Sequence, residues 1–424
     1  MRADRSVDSW RATESSEHDR ADTGFTAPRH RPGLVVLPFH YRGAAAGEEI
    51  FDGVDEAVRS ALARVETFFV FARGALGAPH DVNVDVGEMA RALGARYVIQ
   101  GSMRASAGRF RISVQLTDAV SGAEIWSAPF EGVLGDTIES EDRIANAIAG
   151  ALQPAILTAE VARVQSRRSD ATTAYQIVLQ AMPLCWALDK AACDTAIRLL
   201  TRAVQLDPGY GLAQALLSWC HGQQAVYNWT AAGDLHRQRA LGIARDAALL
   251  DRNDAMALTM LASAECVAGD LSAAAVHVDR ALAIDPSSAW AWTRSGYIHC
   301  DLGKPDLALA DFERALRLSR LDPMRHNAMI GTGFAYLLDH QYEAAVPHIE
   351  RGLVESPSSI WANRELAAAA AMTGDREKAA RCVAIVEGYA PGIRVRSILD
   401  AIPIRCDRLR TGFGRALARA GFSA

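Results

Sequence analysis

The sequence lacks a long hydrophobic run, since no stretch of about 18 consecutive apolar residues appears among its 424 residues. Its N-terminus also lacks the apolar core of a signal peptide, because charged residues alternate through the first positions of the chain. These two absences predict a cytoplasmic protein with no membrane segment.

An excess of positive charge is also missing, because 45 Lys and Arg residues stand against 50 Asp and Glu residues, for a formal net charge of -5. Such a chain has no global positive field that would draw it to nucleic acid or to anionic lipid. We therefore expect neither nucleic acid nor a membrane surface as a direct partner.

The seven cysteines lack the spacing of a disulfide framework or of a zinc site, since they are widely separated and none occurs as CxxC. We interpret them as small buried residues in a reducing compartment. They are Cys185, Cys193, Cys220, Cys266, Cys300, Cys382 and Cys406.

Catalytic and cofactor motifs are absent as well, including GxxxxGK(S/T), HExxH and GxSxG. The carboxylates Glu139, Glu141 and Asp142 have two interpretations, a metal site or the first turn of a helix, where the positive end of the helix dipole favours acidic residues. We favour the second interpretation. The sequence therefore predicts no enzyme activity, no catalytic residue, no metal site and no cofactor.

The first part of the chain predicts a tail and an α/β domain. Residues 1–32 hold six Arg against six acidic residues and show no periodicity, which is typical of a disordered tail. Residues 33–135 begin with the buried-strand pattern LVVLPF, and FRISVQLTD alternates apolar and polar residues as a half-exposed strand does. We expect a mixed sheet of about five strands with two short helices, followed by a linker helix within 136–176.

Internal repeats dominate the second half of the chain. Residues 289–325 place Trp292, Gly296, Ala308 and Phe312 at the spacing of the tetratricopeptide pattern, which has a period of 34 residues. Small residues at these positions allow two antiparallel helices to approach closely. The pattern predicts six helix pairs over residues 177–393 that form an all-α solenoid, with about ten extra residues between the helices of the second pair. We expect residues 394–424 to form solvated capping helices.

The segments LVVLPF, FVFAR, ARALGARYVIQGSMR and FRISVQLTDAVSGAEIW, followed by the repeats, resemble a TolB-N-terminal-like α/β domain joined to tetratricopeptide repeats. This pairing forms the C-terminal, sensory half of bacterial class III adenylate or guanylate cyclases and of winged-helix transcriptional regulators. The resemblance implies a sensory role and transfers no catalytic residue. In those relatives an output domain lies upstream, whereas residues 1–32 are too few for one.

In tetratricopeptide arrays the concave face binds partners through defined positions of the first helix of each pair. Aromatic residues and Arg at these positions favour an extended peptide or a helix as the ligand. The alternative is that curvature or the N-terminal domain buries several of them. The predicted peptide-binding residues are Trp219, Met256, Trp290, Arg294, Tyr297, Asn327, Phe334, Trp361 and Arg364, with Thr259 and Thr293 beside them.

Two functions of different classes follow from these features. The first is a non-enzymatic cytoplasmic scaffold or sensor that binds a protein through the solenoid, while its α/β domain binds a second partner or a small molecule. The alternative is the regulatory part of a nucleotide cyclase or a transcriptional regulator whose output domain is separate or lost.

Overall fold

The computed structural model describes residues 31–42, 53–65, 67–76, 86–106, 109–133, 138–166 and 173–424. The predicted tail of residues 1–32 lies outside the described residues, apart from its last two. Glu141 is the fourth residue of a helix that begins at Ile138 and Asp142 is the fifth, so that of these two only Glu141 lies in the first turn; the Glu139 side chain lies outside the described residues.

The N-terminal domain is an α/β domain with a mixed sheet. The strand order is β3-β1-β4-β5-β6, where β1 is parallel to β3 and β4, whereas β4, β5 and β6 are antiparallel. A short strand, β2, runs parallel to β4. The strands are β1 (Gly33–Val36), β2 (His40–Tyr41), β3 (Phe69–Val70), β4 (Ala95–Ser106), β5 (Arg109–Asp118) and β6 (Glu124–Val133), and the helices are α1 (Val54–Ala63), α2 (Val86–Ala92) and α3 (Ile138–Ser166).

The predicted fold class of this domain is confirmed. The sheet has six strands where about five were expected, because the two-residue strand β2 pairs with β4. Strand β3 also contains only two residues and is followed by a short 3-10 helix, Arg73–Leu76. In β5 the apolar residues Ile112, Val114 and Leu116 are fully buried, which is the alternation that the sequence predicts.

Helix α3 joins the α/β domain to the solenoid. Ile148, Leu152 and Ile156 of this helix pack in the same core as the sheet and α1. By length and composition its stretch Glu141–Ser166 could cross a membrane, yet 56% of its most apolar window is buried inside the protein. The apolar side chains of α3 are therefore used in the core of the domain.

The solenoid consists of six antiparallel helix pairs, followed by two further helices. Successive pairs contact each other through their neighbouring helices, so that the first helices of the pairs line one side of the array, which we call the concave face. The pairs are α4–α5 (Ala174–Trp186, Lys190–Leu206), α6–α7 (Gly211–Val226, Gly233–Leu250), α8–α9 (Ala255–Ala268, Leu271–Ile284), α10–α11 (Ala289–Asp301, Pro305–Leu318), α12–α13 (Arg325–Leu338, Tyr342–Glu355) and α14–α15 (Asn363–Thr373, Arg376–Tyr389), followed by α16 (Val395–Ala401) and α17 (Asp407–Ala420).

Small residues account for the close approach of these helices. Phe312 is fully buried. A Cβ atom added at Gly296 would lie 2.6 Å from its ring, and one added at Gly331 would lie 2.5 Å from it. Ala274 and Ala308, at the predicted small positions, are also fully buried. Any larger side chain at these sites would overpack the contact.

The extra residues of the second pair are distributed differently from the expectation. Helices α6 and α7 are long, with 16 and 18 residues, and the loop between them spans only residues 227–232. In that loop Tyr227 and Trp229 are buried, because they fold back against the solenoid. The insertion therefore lengthens two helices and adds aromatic residues to the core.

The C-terminal residues do not form the solvated cap that the sequence suggested. Leu409 and Leu417 are fully buried and Phe413 packs edge-on against Phe334, with ring centroids 5.6 Å apart. Helix α17 contacts α14 much more than α15, so it lies against the concave face. We expected solvent exposure because the segment is rich in Arg. The apolar residues between the Arg residues form a stripe on one side of the helix, and this stripe is buried.

Residues 395–406, which precede helix α17, also cross the concave face. The Ser397 carbonyl oxygen accepts a hydrogen bond of 3.1 Å from the Asn228 side chain, in the second pair. The amide N–H of Arg405 donates to the carbonyl oxygen of Asp301, in the fourth pair, at 2.9 Å. We call residues 395–420 the return segment, because they turn back over the helices that precede them.

Candidate functional site

A cavity lies between the first helices of pairs two to six and the return segment. The centre of a water molecule can occupy a volume of about 80 Å³ in this cavity. This is room for several waters or a small organic molecule. The side chains around it include Ser218, Trp219, Gln223, Tyr227, Ser263, Arg294, Tyr297, Asp301, Phe334, Trp361, Arg364, Glu365, Ile402 and Pro403.

The structure brings two thirds of the predicted peptide-binding residues together around this cavity. Five of their six side chains are buried, with Trp361 at 2% and Arg364 at 1% exposure, and Tyr297 is partly buried. The open groove that the sequence suggested is therefore covered, partly by curvature and partly by the return segment. The predicted residues in the lining are Trp219, Arg294, Tyr297, Phe334, Trp361 and Arg364.

The other three predicted residues lie outside the lining. Trp290 packs edge-on behind Trp219, with ring centroids 5.4 Å apart. Asn327 is fully buried and accepts a hydrogen bond from the Arg294 guanidinium. Met256 lies in a separate depression between the α/β domain and the third pair.

The two threonines named beside the predicted set form hydrogen bonds with the main chain of their own helices. Thr259 and Thr293 donate their hydroxyl protons to the carbonyl oxygens of Ala255 and Ala289, one helical turn earlier, at 2.7 and 2.8 Å. These contacts are typical of buried helical threonines and leave no free donor for a ligand.

Arg294 is held between aromatic rings in the wall of the cavity. Its guanidinium carbon lies 4.7 Å from the ring centroid of Trp219 and 4.6 Å from that of Tyr297. A desolvated cation over two ring faces is stabilised by their quadrupoles. Burial lowers the pKa of Arg294, and the side chain nevertheless remains a cation because its ordinary pKa is so high.

Arg364 forms a second buried cationic group, but this one has an acidic partner. Its guanidinium donates to the Val226 carbonyl oxygen at 3.0 Å and to the Asn228 side chain at 3.2 Å. It also contacts Glu365 at 3.2 Å. Tyr227 stacks on Trp361 beside it, with ring centroids 4.1 Å apart. Burial raises the pKa of Glu365, and the adjacent Arg364 guanidinium offsets part of that rise.

Asp301 is the second acidic group of the cavity. One of its oxygens, Oδ2, accepts a hydrogen bond of 3.2 Å from the Cys266 thiol. Burial raises the pKa of Asp301 to about 7, because the hydrogen bond and the positive charge of Arg294 offset the loss of water only in part. The carboxyl therefore keeps its proton up to nearly neutral pH.

Several buried polar atoms of the lining have no hydrogen-bond partner in the part of the chain that the structure describes. Buried polar groups are normally satisfied, and an unsatisfied one costs about 1–3 kcal/mol. Their concentration here distinguishes the cavity from the packed contacts between the helices. The atoms are Trp219 Nε1, Gln223 Oε1, Ser263 Oγ, Arg294 Nε, Asp301 Oδ1, Trp361 Nε1, Arg364 Nε and Glu365 Oε2.

Sequence reasoning missed most of the other contributors to this site, and five of them show why. Tyr227 belongs to the insertion, where the repeat register gives no position for it. Asp301 and Glu365 occupy first-helix positions outside the predicted set. Ile402 and Pro403 come from the return segment, whose place on the concave face no periodicity indicates.

Comparisons with known proteins agree with a repeat protein but cover only parts of it. No family model matches the chain. It is 29% identical over 218 residues to putative adenylate cyclase 3 of Rhizobium meliloti (strain 1021), a match that covers 51% of this chain and 37% of that protein. It is 31% identical over 181 residues to superkiller complex protein 3 of Mus musculus, which covers 40% of this chain and 11% of that protein. The chain thus spans well under half the length of these curated relatives.

Solved structures also resemble parts of the chain at low identity. A thermophilic TPR protein of Thermus thermophilus matches with 19% identity and a TM-score of 0.37, over 46% of this chain and 98% of that chain. TolB from Acinetobacter baumannii matches with 18% identity and a TM-score of 0.24, over 30% of this chain and 28% of that chain. None of these relatives carries the name of a winged-helix regulator.

Proposed function

We propose that this chain is a non-enzymatic, cytoplasmic interaction scaffold or sensor whose concave face binds an extended segment of a partner protein. The observation that carries this proposal is the path of residues 402–406 across that face. The Arg405 amide N–H donates to the Asp301 carbonyl oxygen at 2.9 Å, and the Arg405 guanidinium donates to the Gly269 carbonyl oxygen. The α/β domain is then free to contact a second partner or a small molecule.

The return segment has the features of a bound peptide ligand. Ile402 and Ile404 are buried, at 7% and 4% exposure, so that they serve as apolar contacts. Main-chain hydrogen bonds with apolar side chains in pockets are the usual means of peptide recognition. In this proposal the chain's own C-terminal residues occupy the surface that a partner would use.

An exchange experiment tests the proposal. A protease site inserted between the exposed residues Pro391 and Gly392 allows the folded chain to be cut, and a labelled peptide of residues 392–424 is then added. We expect the cut chain to take up the labelled peptide, while the uncut chain does not. A labelled peptide carrying Phe413→Ala should be taken up more weakly, since Phe413 contacts Phe334. Uptake is measured by fluorescence anisotropy.

Circular dichroism of the cut chain supplies the control for folding. A cut chain that keeps its helicity but takes up no peptide would contradict the proposal. Equal uptake by the cut and uncut chains would also contradict it, because the label would then bind elsewhere.

The second candidate is a regulatory part of a nucleotide cyclase, which the 29% identity to a putative adenylate cyclase favours. A cyclase or winged-helix domain encoded beside this chain would support that role. In both candidates the chain itself carries no catalytic residue. Production of cyclic AMP from ATP by the purified chain would therefore contradict both.

A further inference from the structure

The cavity on the concave face reaches the main chain of helix α6. Gly222 is a buried glycine in the interior of this helix, and a Cβ atom built on it would meet no atom within 4 Å. By contrast, other buried glycines of the solenoid face a neighbour at less than 3 Å, as Gly296 does. The space beside Gly222 is thus a real opening between the helices.

The residues that line this cavity carry both donor and acceptor atoms without partners among the described residues. The donors include Arg294 Nε and Arg364 Nε, and the acceptors include Asp301 Oδ1 and Glu365 Oε2. All four side chains are at least nine-tenths buried, with exposures of 8%, 1%, 5% and 4% in that order. A ligand that completes these hydrogen bonds would recover the free energy that their burial costs.

The charge of the cavity favours an anion over a cation. Arg364 has a direct carboxylate partner, because Glu365 lies 3.2 Å from its guanidinium. The hydrogen bond of Arg294 goes to the neutral side chain of Asn327, and no described carboxylate forms an ion pair with this guanidinium. Asp301 neutralises it poorly, because burial raises the pKa of that carboxyl to about 7. Arg294 is therefore the uncompensated charge, and a carboxylate pairs well with a guanidinium.

The aromatic side chains favour a flat apolar body. Trp219, Tyr227, Tyr297, Phe334 and Trp361 all contribute to the lining. Aromatic rings bind flat molecules through stacked or edge-on contacts. Pockets for small molecules are typically apolar with a few convergent polar groups, which describes this cavity.

We propose that the cavity binds a small aromatic carboxylic acid that also carries a hydroxyl or N–H donor. The carboxylate pairs with the Arg294 guanidinium, the donor reaches the free oxygen of Asp301 or Glu365, and the ring lies among the aromatic side chains. This inference goes beyond the proposed function and concerns the chain with its return segment in place, since Ile402 and Pro403 form one wall of the cavity.

The return segment also separates the cavity from a wider cleft. Ile402 and Pro403, with Val267, line the inner cavity on one side and this cleft on the other. The cleft is polar, and Arg237, Asp400 and Arg410 line it. The wall between the two spaces is therefore formed by two side chains of the return segment and one of helix α8.

The test measures binding to the full chain by isothermal titration calorimetry. The probes are 4-hydroxybenzoate and indole-3-acetate, each beside its counterpart without a carboxylate, phenol or 3-methylindole. We expect at least one acid to bind at a single saturable site, and its counterpart to bind at least tenfold more weakly. Binding of neither acid at millimolar concentration would overturn the proposal, and so would equal binding of an acid and its counterpart.

Two variants locate the binding. Gly222→Leu places a side chain in the open space and should weaken binding of the acid at least tenfold. Gly242→Leu is the matched control, because Gly242 lies in helix α7 with open space around it but is exposed to solvent; binding should stay unchanged. Should Gly222→Leu lose helicity, Ala264→Leu fills the cavity from helix α8. Unchanged binding in a folded filling variant would overturn the assignment.

Discussion

Two clusters of buried charge in this protein differ in how completely their hydrogen bonds are satisfied. The joint cluster, formed by Glu160, Arg163, Tyr97 and Tyr175, lies where helix α3 meets the sheet and the solenoid. Glu160 is 1% exposed and accepts hydrogen bonds from the hydroxyls of Tyr97 and Tyr175, at 2.7 and 2.8 Å, and from Arg163. The cavity cluster, formed by Arg294, Asp301, Arg364 and Glu365, leaves an unpaired atom on every member.

The pKa values of Glu160 and Asp301 are shifted in opposite directions, although burial acts on both in the same sense. Burial alone would raise the pKa of Glu160, but hydrogen bonds from Arg163 and Tyr97 lower it below the ordinary value. Burial raises the pKa of Asp301, and its one thiol donor offsets little of that effect. A buried carboxylate with its own full set of donors is a structural element, whereas one without them is suited to an external partner.

The largest expected effect comes from removing the centre of the joint cluster. Glu160→Ala leaves two tyrosine hydroxyls without an acceptor and Arg163 without its carboxylate, so we expect a loss of about 3–5 kcal/mol in the free energy of unfolding. Urea denaturation followed by circular dichroism measures it. A loss below about 1 kcal/mol would mean that the cluster is not a structural joint, and the contrast with the cavity would disappear.

A matched pair of amide substitutions gives the next effect. Asp301→Asn should stabilise the protein at pH 8, because the folded state no longer has to hold a buried charge. The rise in pKa from 3.8 to about 7 sets an upper limit of about 4 kcal/mol, and we expect on the order of 2 kcal/mol. Glu160→Gln should instead destabilise the protein at pH 8, because the ionised form of Glu160 is the one that its donors stabilise.

The pH dependence of these variants has a definite sign. For Asp301 the folded pKa is above the unfolded one, so the native protein should lose stability relative to Asp301→Asn between about pH 4 and pH 7. For Glu160 the folded pKa is depressed, so its advantage over Gln is present above the unfolded pKa and is lost as the pH falls below about 4. Denaturation of all three proteins across this range measures both. Parallel curves for the native protein and Asp301→Asn would contradict the assignment.

The repeat architecture was predictable because its constraints are local. Each helix pair needs small residues where its helices approach, so that Ala274, Ala308 and Gly296 mark the same contacts in sequence and in structure. The β5 strand was predictable for a similar reason, since one face is buried along its whole length. In both cases neighbouring residues of one element carry the information.

The cavity could be predicted only in part, because it depends on contacts between distant residues. Periodicity placed Trp219, Arg294 and Trp361 on one side of the array, and the structure brings all three to the cavity. It gave no indication that residues 402 and 403 would cover them, since the pairing of Arg405 with Asp301 joins positions about a hundred residues apart. A helix rich in Arg is equally compatible with solvent and with a groove, and only the tertiary packing decides between them.

The smallest expected effect compares the space beside Gly222 with the packed contact at Gly296. Gly222→Ala should stabilise the protein by about 0.5–1 kcal/mol, because Ala favours a helix interior and the new methyl group meets no atom within 4 Å. Gly242→Ala, in an exposed helix interior, should give a similar gain. Gly296→Ala should lose stability, because its methyl group would lie 2.6 Å from the Phe312 ring. Thermal unfolding of the three variants measures these differences, and a loss of stability in Gly222→Ala would show that helix α6 is packed there as tightly as the rest of the solenoid.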